Sequence, residues 1–227
     1  LGEDLGLDAL FPFIKDKKST VEKSVNLIAP QSNLNPTWWE DLKWVKDILS
    51  TLGIKVQTVI PHETTLEDLE NAAMASANIL LSRDVGYEFA KKMEKLYGVP
   101  LILSDIPLPI GLNNTARWLR ALGIYFGVED KVEEIIKAGE EKVIDLLRKR
   151  ALMIIPRYRN CRIAISADAT IGTGLLRMLF EELEMIPEVL MIKSNTPEAK
   201  KIVSEELNSM KISPKVIFGV DGYKIKK

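Results

Sequence analysis

Seven short aliphatic runs, each mostly unbroken by charge, constrain the fold of this chain more than any other feature. They are VNLIA (25–29), IKVQTVI (54–60), NILLS (78–82), PLILS (100–104), RIAISA (162–167), VLMIK (189–193) and KVIFGV (215–220). Continuous runs of this length are expected of strands buried on both faces of a parallel sheet. Between them the apolar period lengthens to three and four residues, as in the Leu42, Val45, Leu49 and Leu52 stripe. Phe89, Met93 and Leu96 form a second stripe, and Leu175, Leu179 and Leu183 a third. Ile202, Val203 and Leu207 belong to the last. Strand followed by helix, repeated, predicts right-handed βαβ units and an α/β fold.

Punctuation agrees with the period. Asn35 can cap a helix whose first residue is Pro36, with Glu40 and Asp41 suiting the dipole of its first turn. Gly53 and Gly98 stand where left-handed residues end helices, and Thr65 with Asp68 spells a capping box. One segment breaks the rhythm: from about Val128 to Leu152 the chain is charged and amphipathic, too long for a crossover helix. It reads as a helix joining two α/β blocks, with Ile135, Val143, Leu146 and Leu147 facing protein and Pro156 to Asn160 as the turn beyond it. The expected organisation is an N-terminal remnant (1–23), a first Rossmann-like domain (24–127), a connecting helix and turn (128–160) and a second Rossmann-like domain (161–227). With three strands, that second unit is expected to be truncated.

Charge narrows the function classes. Lys plus Arg number 31 and Asp plus Glu 32, so no basic face for nucleic acid is expected. No apolar run approaches the roughly 20 residues of a spanning helix, and the N-terminus lacks a signal peptide's basic end and apolar stretch. Both point to a cytoplasmic protein without a membrane partner. Cys161 and His62 are the single cysteine and histidine, so no disulfide and no metal cage is expected within the chain.

In open parallel sheets, ligands gather beyond the carboxyl ends of the strands. Pro30 and Gln31, Pro61 and His62, Ser82 to Asp84, Asp105, Ser166 to Asp168 and Lys193 to Asn195 fall there. His62 can titrate near neutrality, although a solvated loop histidine is the commoner case. Cys161 reads as a small inert thiol. ISADATIGTGLL places Gly172 and Gly174 at a strand–turn–helix without the full G-x-G-x-x-G, so the glycines can equally serve close packing. Trp38, Trp39 and Trp44 suit a core or a subunit interface.

The collinear order of VNLIAP (25–30), DLKWVKDILSTLGIKVQTVIP (41–61), TTLEDLENAAMASANILLS (64–82), YEFAKKMEKLYGVPLI (87–102) and PIGLNNTARWLRALGIYFG (109–127) resembles the nitrogenase component 1 superfamily. That group spans molybdenum–iron protein subunits, their cofactor-scaffold homologues, dark-operative protochlorophyllide reductases and the nickel-tetrapyrrole reductive cyclase. CRIAISADATIGTGLLRMLFEELEMIPEVLMI resembles the family's next Rossmann-like domain, with Ser166-Ala167-Asp168-Ala169 where a G-D-P-D-like turn stands. The resemblance implies an oxidoreductase whose intact complex contains an iron–sulfur cluster, a homologous component 1 subunit and an ATP-dependent iron–sulfur donor protein. It also implies that this chain is a fragment, without cofactor and inactive alone, because the cluster cysteines lie mainly in a preceding domain. Ser82 stands where the molybdenum–iron α subunit anchors its cofactor through cysteine, and serine is a poor iron ligand. The implied cofactor-binding residues are Ser82, Arg83, Asp84, Gly111 and Asp168; Arg83 and Asp84 could equally form a local ion pair. No catalytic residue stands out. The alternatives are a non-catalytic assembly scaffold and a helix-bridged metal-chelate or solute-binding protein.

Overall fold

The computed structural model describes residues 2–16, 18–28 and 37–220, with backbone alone at 2, 3 and 151–155. The expected cap at Asn35 and Pro36, like Pro30 and Gln31, lies outside the described residues. The chain divides into two compact units, 1–105 and 106–227.

The first unit is built on a parallel sheet of β1 (Ser24–Ile28), β2 (Lys55–Ile60), β3 (Ala77–Leu80) and β4 (Leu101–Ile102) in the order β2-β1-β3-β4. Every residue of β1 and β3 is buried, as suits runs unbroken by charge. Their asparagines, Asn26 and Asn78, are register partners in the ladder. Asn26 Nδ2 donates to Asn78 Oδ1 at 2.9 Å and to Ala72 O at 2.8 Å, and Asn78 Nδ2 donates to Val99 O at 3.1 Å. Burying amides is tolerable only with such partners, and the pair pins β1 to β3 and to the segments entering β3 and β4.

Helices α2 (Trp38–Thr51), α3 (Leu66–Glu70) and α4 (Tyr87–Tyr97) fill the crossovers. Leu42, Val45 and Leu49 are the buried stripe of α2. The α3 capping box is complete: the Thr65 hydroxyl accepts from Asp68 N, and the Asp68 carboxylate accepts from Thr65 N, both at 3.1 Å. The Thr65 hydroxyl and amide hold the Asp68 carboxyl below its usual range. Residues 2–16, set apart by the sequence reading, pack into this unit. Leu7 of α1 (Gly2–Asp8) and Ile14 are buried in the core with Ile28, Ile60, Leu80 and Phe89.

The second unit comprises α5 (Gly111–Phe126), α6 (Glu129–Tyr158), β5 (Arg162–Ala167), α7 (Ala169–Glu181), β6 (Ile186–Ile192), α8 (Pro197–Met210) and β7 (Lys215–Phe218). Its three parallel strands run in sequence order, β5-β6-β7. Sequence periodicity assigned α5 to the first block and made α6 a bridge; the compact division assigns both helices to the second unit. The reason lies in close contacts that periodicity does not register. A Cβ on Gly174 of α7 would stand 2.9 Å from Ile110 Cδ1, and one on Gly123 of α5 would stand 3.0 Å from Val132 Cγ2 of α6. Helix α6 also runs through Pro156 to Tyr158, so the turn comes at Arg159 and Asn160, the latter with φ 63°.

β5 departs from the expectation of strands covered on both faces. Arg162, Ala164 and Ser166 are exposed, whereas Ile165 and Ala167 are buried. Ile165 and Ala167 join Leu190 and Ile192 of β6, Leu176 of α7, and Ile202 and Val203 of α8 in one core. The alternation of β5 is that of a sheet packed on one side. No helix among the described residues is long and apolar enough to cross a membrane.

Candidate functional site

A parallel sheet in the order β2-β1-β3-β4 reverses direction between β1 and β3, and the crevice beyond their carboxyl ends is the expected ligand position. Its β3 wall is the turn Leu81 to Gly86. Leu81 N donates to Ile28 O at 2.9 Å, which keeps the two strand ends together. Ser82, Arg83 and Asp84 are half-buried, and Ser82 Oγ accepts from Asp84 N at 3.2 Å. The three thus stand half-buried beyond the carboxyl end of β3.

Gly86 fixes the turn. It precedes α4 with φ 85°, a conformation that favours glycine. A Cβ there would stand 2.8 Å from Ile28 Cγ2 and 3.2 Å from Leu80 Cδ2. Its amide donates to Asp4 Oδ1 of α1 at 3.0 Å. Sequence reasoning missed both residues. Glycine directly before the helical apolar stripe of Phe89 and Met93 was a signal for the first, but nothing local marks a contact across 82 positions for Asp4.

The carboxyl end of edge strand β2 carries a separate cluster. His62 follows edge strand β2 and lies against Trp38, ring centroids 4.7 Å apart with planes inclined by 36°. His62 Nε2 is buried and makes no hydrogen bond among the described residues. Thr64 Oγ1 donates to His62 O at 3.1 Å, and Lys46 pairs with Glu63 beside it. The tryptophan pair therefore divides its work: Trp38 covers the histidine, while Trp39 remains exposed.

In the second unit Gly111 and Asp168 do not share a site. Gly111 opens α5 with φ 81°, and a Cβ there would lie 2.5 Å from Met178 Cγ and 2.6 Å from Glu182 Oε1. The space beside it is filled by α7, and Glu182 Oε1 also accepts from Asn113 N at 3.0 Å. Asp168 is the residue before α7, about 15 Å along the helix from Met178 at the usual rise per residue. The glycines of ISADATIGTGLL serve packing as well: Gly172 lies against Ile192, Leu190 and Ala167 of the sheet, and Gly174 against Ile110.

Known proteins share this architecture. A family model described as nitrogenase component 1 type oxidoreductase matches residues 1–227. The chain belongs to that family. It is 30% identical over 195 residues to a light-independent protochlorophyllide reductase subunit of Roseiflexus castenholzii, covering 76% of this chain and 32% of that one. It is 28% identical over 217 residues to the nitrogenase vanadium-iron protein beta chain of Trichormus variabilis, covering 88% and 44%. The iron-molybdenum cofactor biosynthesis protein NifE of Methanococcus maripaludis is 27% identical over 150 residues. A solved structure of nitrogenase Cp1 at pH 6.5 superposes with a TM-score of 0.77 at 18% identity, covering 99% of this chain and 50% of that chain. The chain thus spans about a fifth to a half of the length of the proteins it matches, and the family assignment takes the place of the solute-binding alternative.

Family membership raises the question of metal, and the donor set answers it for the residues at hand. Cys161 is exposed, and its thiol donates to Arg157 O at 3.0 Å. Among the described residues no group of three or more His, Cys, Asp or Glu is arranged to hold a metal ion. An iron–sulfur cluster requires several thiolates, so these residues do not fit one.

Proposed function

We propose that the chain is part of a nitrogenase component 1-like reductase subunit that receives electrons from an ATP-dependent iron–sulfur donor protein and reduces a bound cofactor or tetrapyrrole. The carrying observation is the family match along all 227 residues, joined to 30% identity with a protochlorophyllide reductase subunit. In this reading the redox centre is supplied outside the described residues, with a homologous subunit as partner. This chain contributes the two α/β units and one wall of the ligand crevice. The complete gene product, co-expressed without oxygen with its homologous subunit, is expected to change the absorbance of a bound tetrapyrrole only when donor protein, ATP and reductant are all present. Tetrapyrrole binding without ATP-dependent reduction would instead support a second reading, a non-catalytic cofactor-assembly scaffold, which the similarity to NifE favours. An outcome with no tetrapyrrole binding and no reduction would remove the tetrapyrrole reading.

Within the crevice, Ser82, Arg83 and Asp84 are the proposed ligand contacts. A guanidinium offers two parallel donors to a carboxylate, which suits an acidic side arm of the ligand. Arg83→Ala in the complete protein is expected to weaken an acidic tetrapyrrole by about ten- to a hundredfold, the usual worth of a charge-assisted pair. Titration returning the unaltered affinity would take Arg83 out of the site. Gly111 and Asp168 are retained as contacts to be tested separately, because they stand at opposite ends of α7.

A further inference from the structure

We propose that the groove between α8 and the free edge of β7 is a docking site for an extended acidic segment of another protein, added as a strand beside β7 with its apolar side chains toward α8. Strand β7 is outermost in the order β5-β6-β7 and has no neighbour on its far side among the described residues. A groove of about 430 Å³ lies between it and α8. Val203 and Leu207 of α8, both buried, line it together with the half-buried Ile212, Val216 and Phe218. No residue of β6 contributes, so the groove opens toward the free edge.

An edge strand presents a row of backbone donors and acceptors that can template one more strand. A peptide added there gains main-chain hydrogen bonds, and pockets for alternate side chains select it. In β7, Val216 and Phe218 line the groove, whereas Lys215 and Ile217 are exposed on the other face. An added strand alternates in the same way, apolar residues toward α8 and polar residues on the face of Lys215. The plan of the fold leaves this edge open. In the first unit the later strands β3 and β4 join β1 on the side away from β2. By the same plan any later strand of a longer polypeptide belongs beside β5, and β7 stays outermost.

Charge selects the partner. Lys200 lines the groove, its Nζ 5.9 Å from the centroid of the Phe218 ring. Lys211 and Lys215 adjoin the lining residues Ile212 and Val216. All three lysines are exposed, and none has an ion pair among the described residues. The nearby acids of α8 are engaged elsewhere, Glu205 with Lys201 and Glu206 with Arg177. Unpaired cations around an apolar groove attract an acidic segment and repel a basic one. They also disfavour a second copy of this chain. Two β7 edges paired antiparallel would set Lys215 of one copy opposite Phe218 of the other, where Lys200 stands. Lysine on an edge is an ordinary guard against self-pairing, and an acidic partner turns that guard into an attraction.

The test is a fluorescence-polarisation titration of a labelled octapeptide alternating glutamate and valine, with an octapeptide alternating lysine and valine as control. The 227-residue chain and the complete gene product are each expected to bind the glutamate peptide saturably and the control not at all. Lys200→Glu combined with Lys215→Glu is expected to weaken the glutamate peptide by about tenfold or more and to admit the lysine peptide. Ser204→Trp, which fills the groove without changing its charge, is expected to abolish binding. These positions are exposed, and circular dichroism checks that each variant keeps its helix content. Absence of binding overturns the proposal, as do equal affinities for the two peptides or an affinity unaltered by Ser204→Trp. Binding to the 227-residue chain but not to the complete gene product overturns it too, because the groove is then covered by its own polypeptide. So does a chain dimer in sedimentation that the glutamate peptide dissociates, which makes a second copy the occupant. None of these outcomes bears on the reductase reading, which rests on the family match.

Discussion

Arg177→Ala is expected to lower the stability of the second unit by about 3–5 kcal/mol, the cost of removing one partner from a buried ion pair. The Arg177 side chain is 6% exposed and that of Glu206 8%, and Arg177 Nη2 donates to Glu206 Oε2 at 2.8 Å between α7 and α8. Nη1 donates to Glu181 Oε1 at 2.7 Å, and Ser209 is a further acceptor. Alanine would leave the Glu206 carboxylate buried without its guanidinium and would also remove packing. Arg177→Met combined with Glu206→Leu is expected to recover most of the loss, because an apolar pair of similar volume needs no desolvated charge. Urea unfolding decides it: a single variant within about 0.5 kcal/mol of wild type, the range of ordinary surface changes, would show that the pair carries little.

Gly111→Ala is expected to cost about 2–5 kcal/mol, from left-handed strain and overpacking together. With φ at 81° and side-chain atoms of Met178 and Glu182 at 2.5, 2.6 and 2.8 Å from the new carbon, the contact of α5 with the end of α7 must open. Gly127, which ends α5 with φ 64° and nothing within 4 Å of an added Cβ among the described residues, separates the two causes. Gly127→Ala is expected to cost only the strain, about 1 kcal/mol. Equal losses at both positions in thermal unfolding would mean that contact with α7 is unimportant at Gly111.

Why the strands were readable and the helix allegiances were not follows from range. β1 and β3 are wholly buried, so their sequence is unbroken by charge and announces them directly. β5 was equally readable as a strand, yet its exposed Ala164 and Ser166 are small enough to imitate a two-sided run. The partners of α5 and α6 depend on glycines meeting Ile110, Val132, Met178 and Glu182, which no local period encodes. The Asn26–Asn78 pair was hidden because an asparagine inside an apolar run gives no sign of where its amide will be satisfied. For the candidate site, the rule about strand ends marks Ser82 to Asp84, which follow β3 in the first unit. Gly111 was expected beside a ligand because glycine permits close approach; the neighbour that approaches is α7.

The hydrogen bond from Gly86 to Asp4 ties the shape of the crevice wall to the docking of the first helix. Two equilibria joined in this way are reciprocal. Any ligand that prefers the held turn tightens α1 against local unfolding, and any change that loosens α1 lowers affinity for that ligand by the same factor. If Ser82 to Asp84 hold the ligand as proposed, protection of the α1 amides from hydrogen exchange becomes a remote reporter of its binding, readable without labelling the site itself.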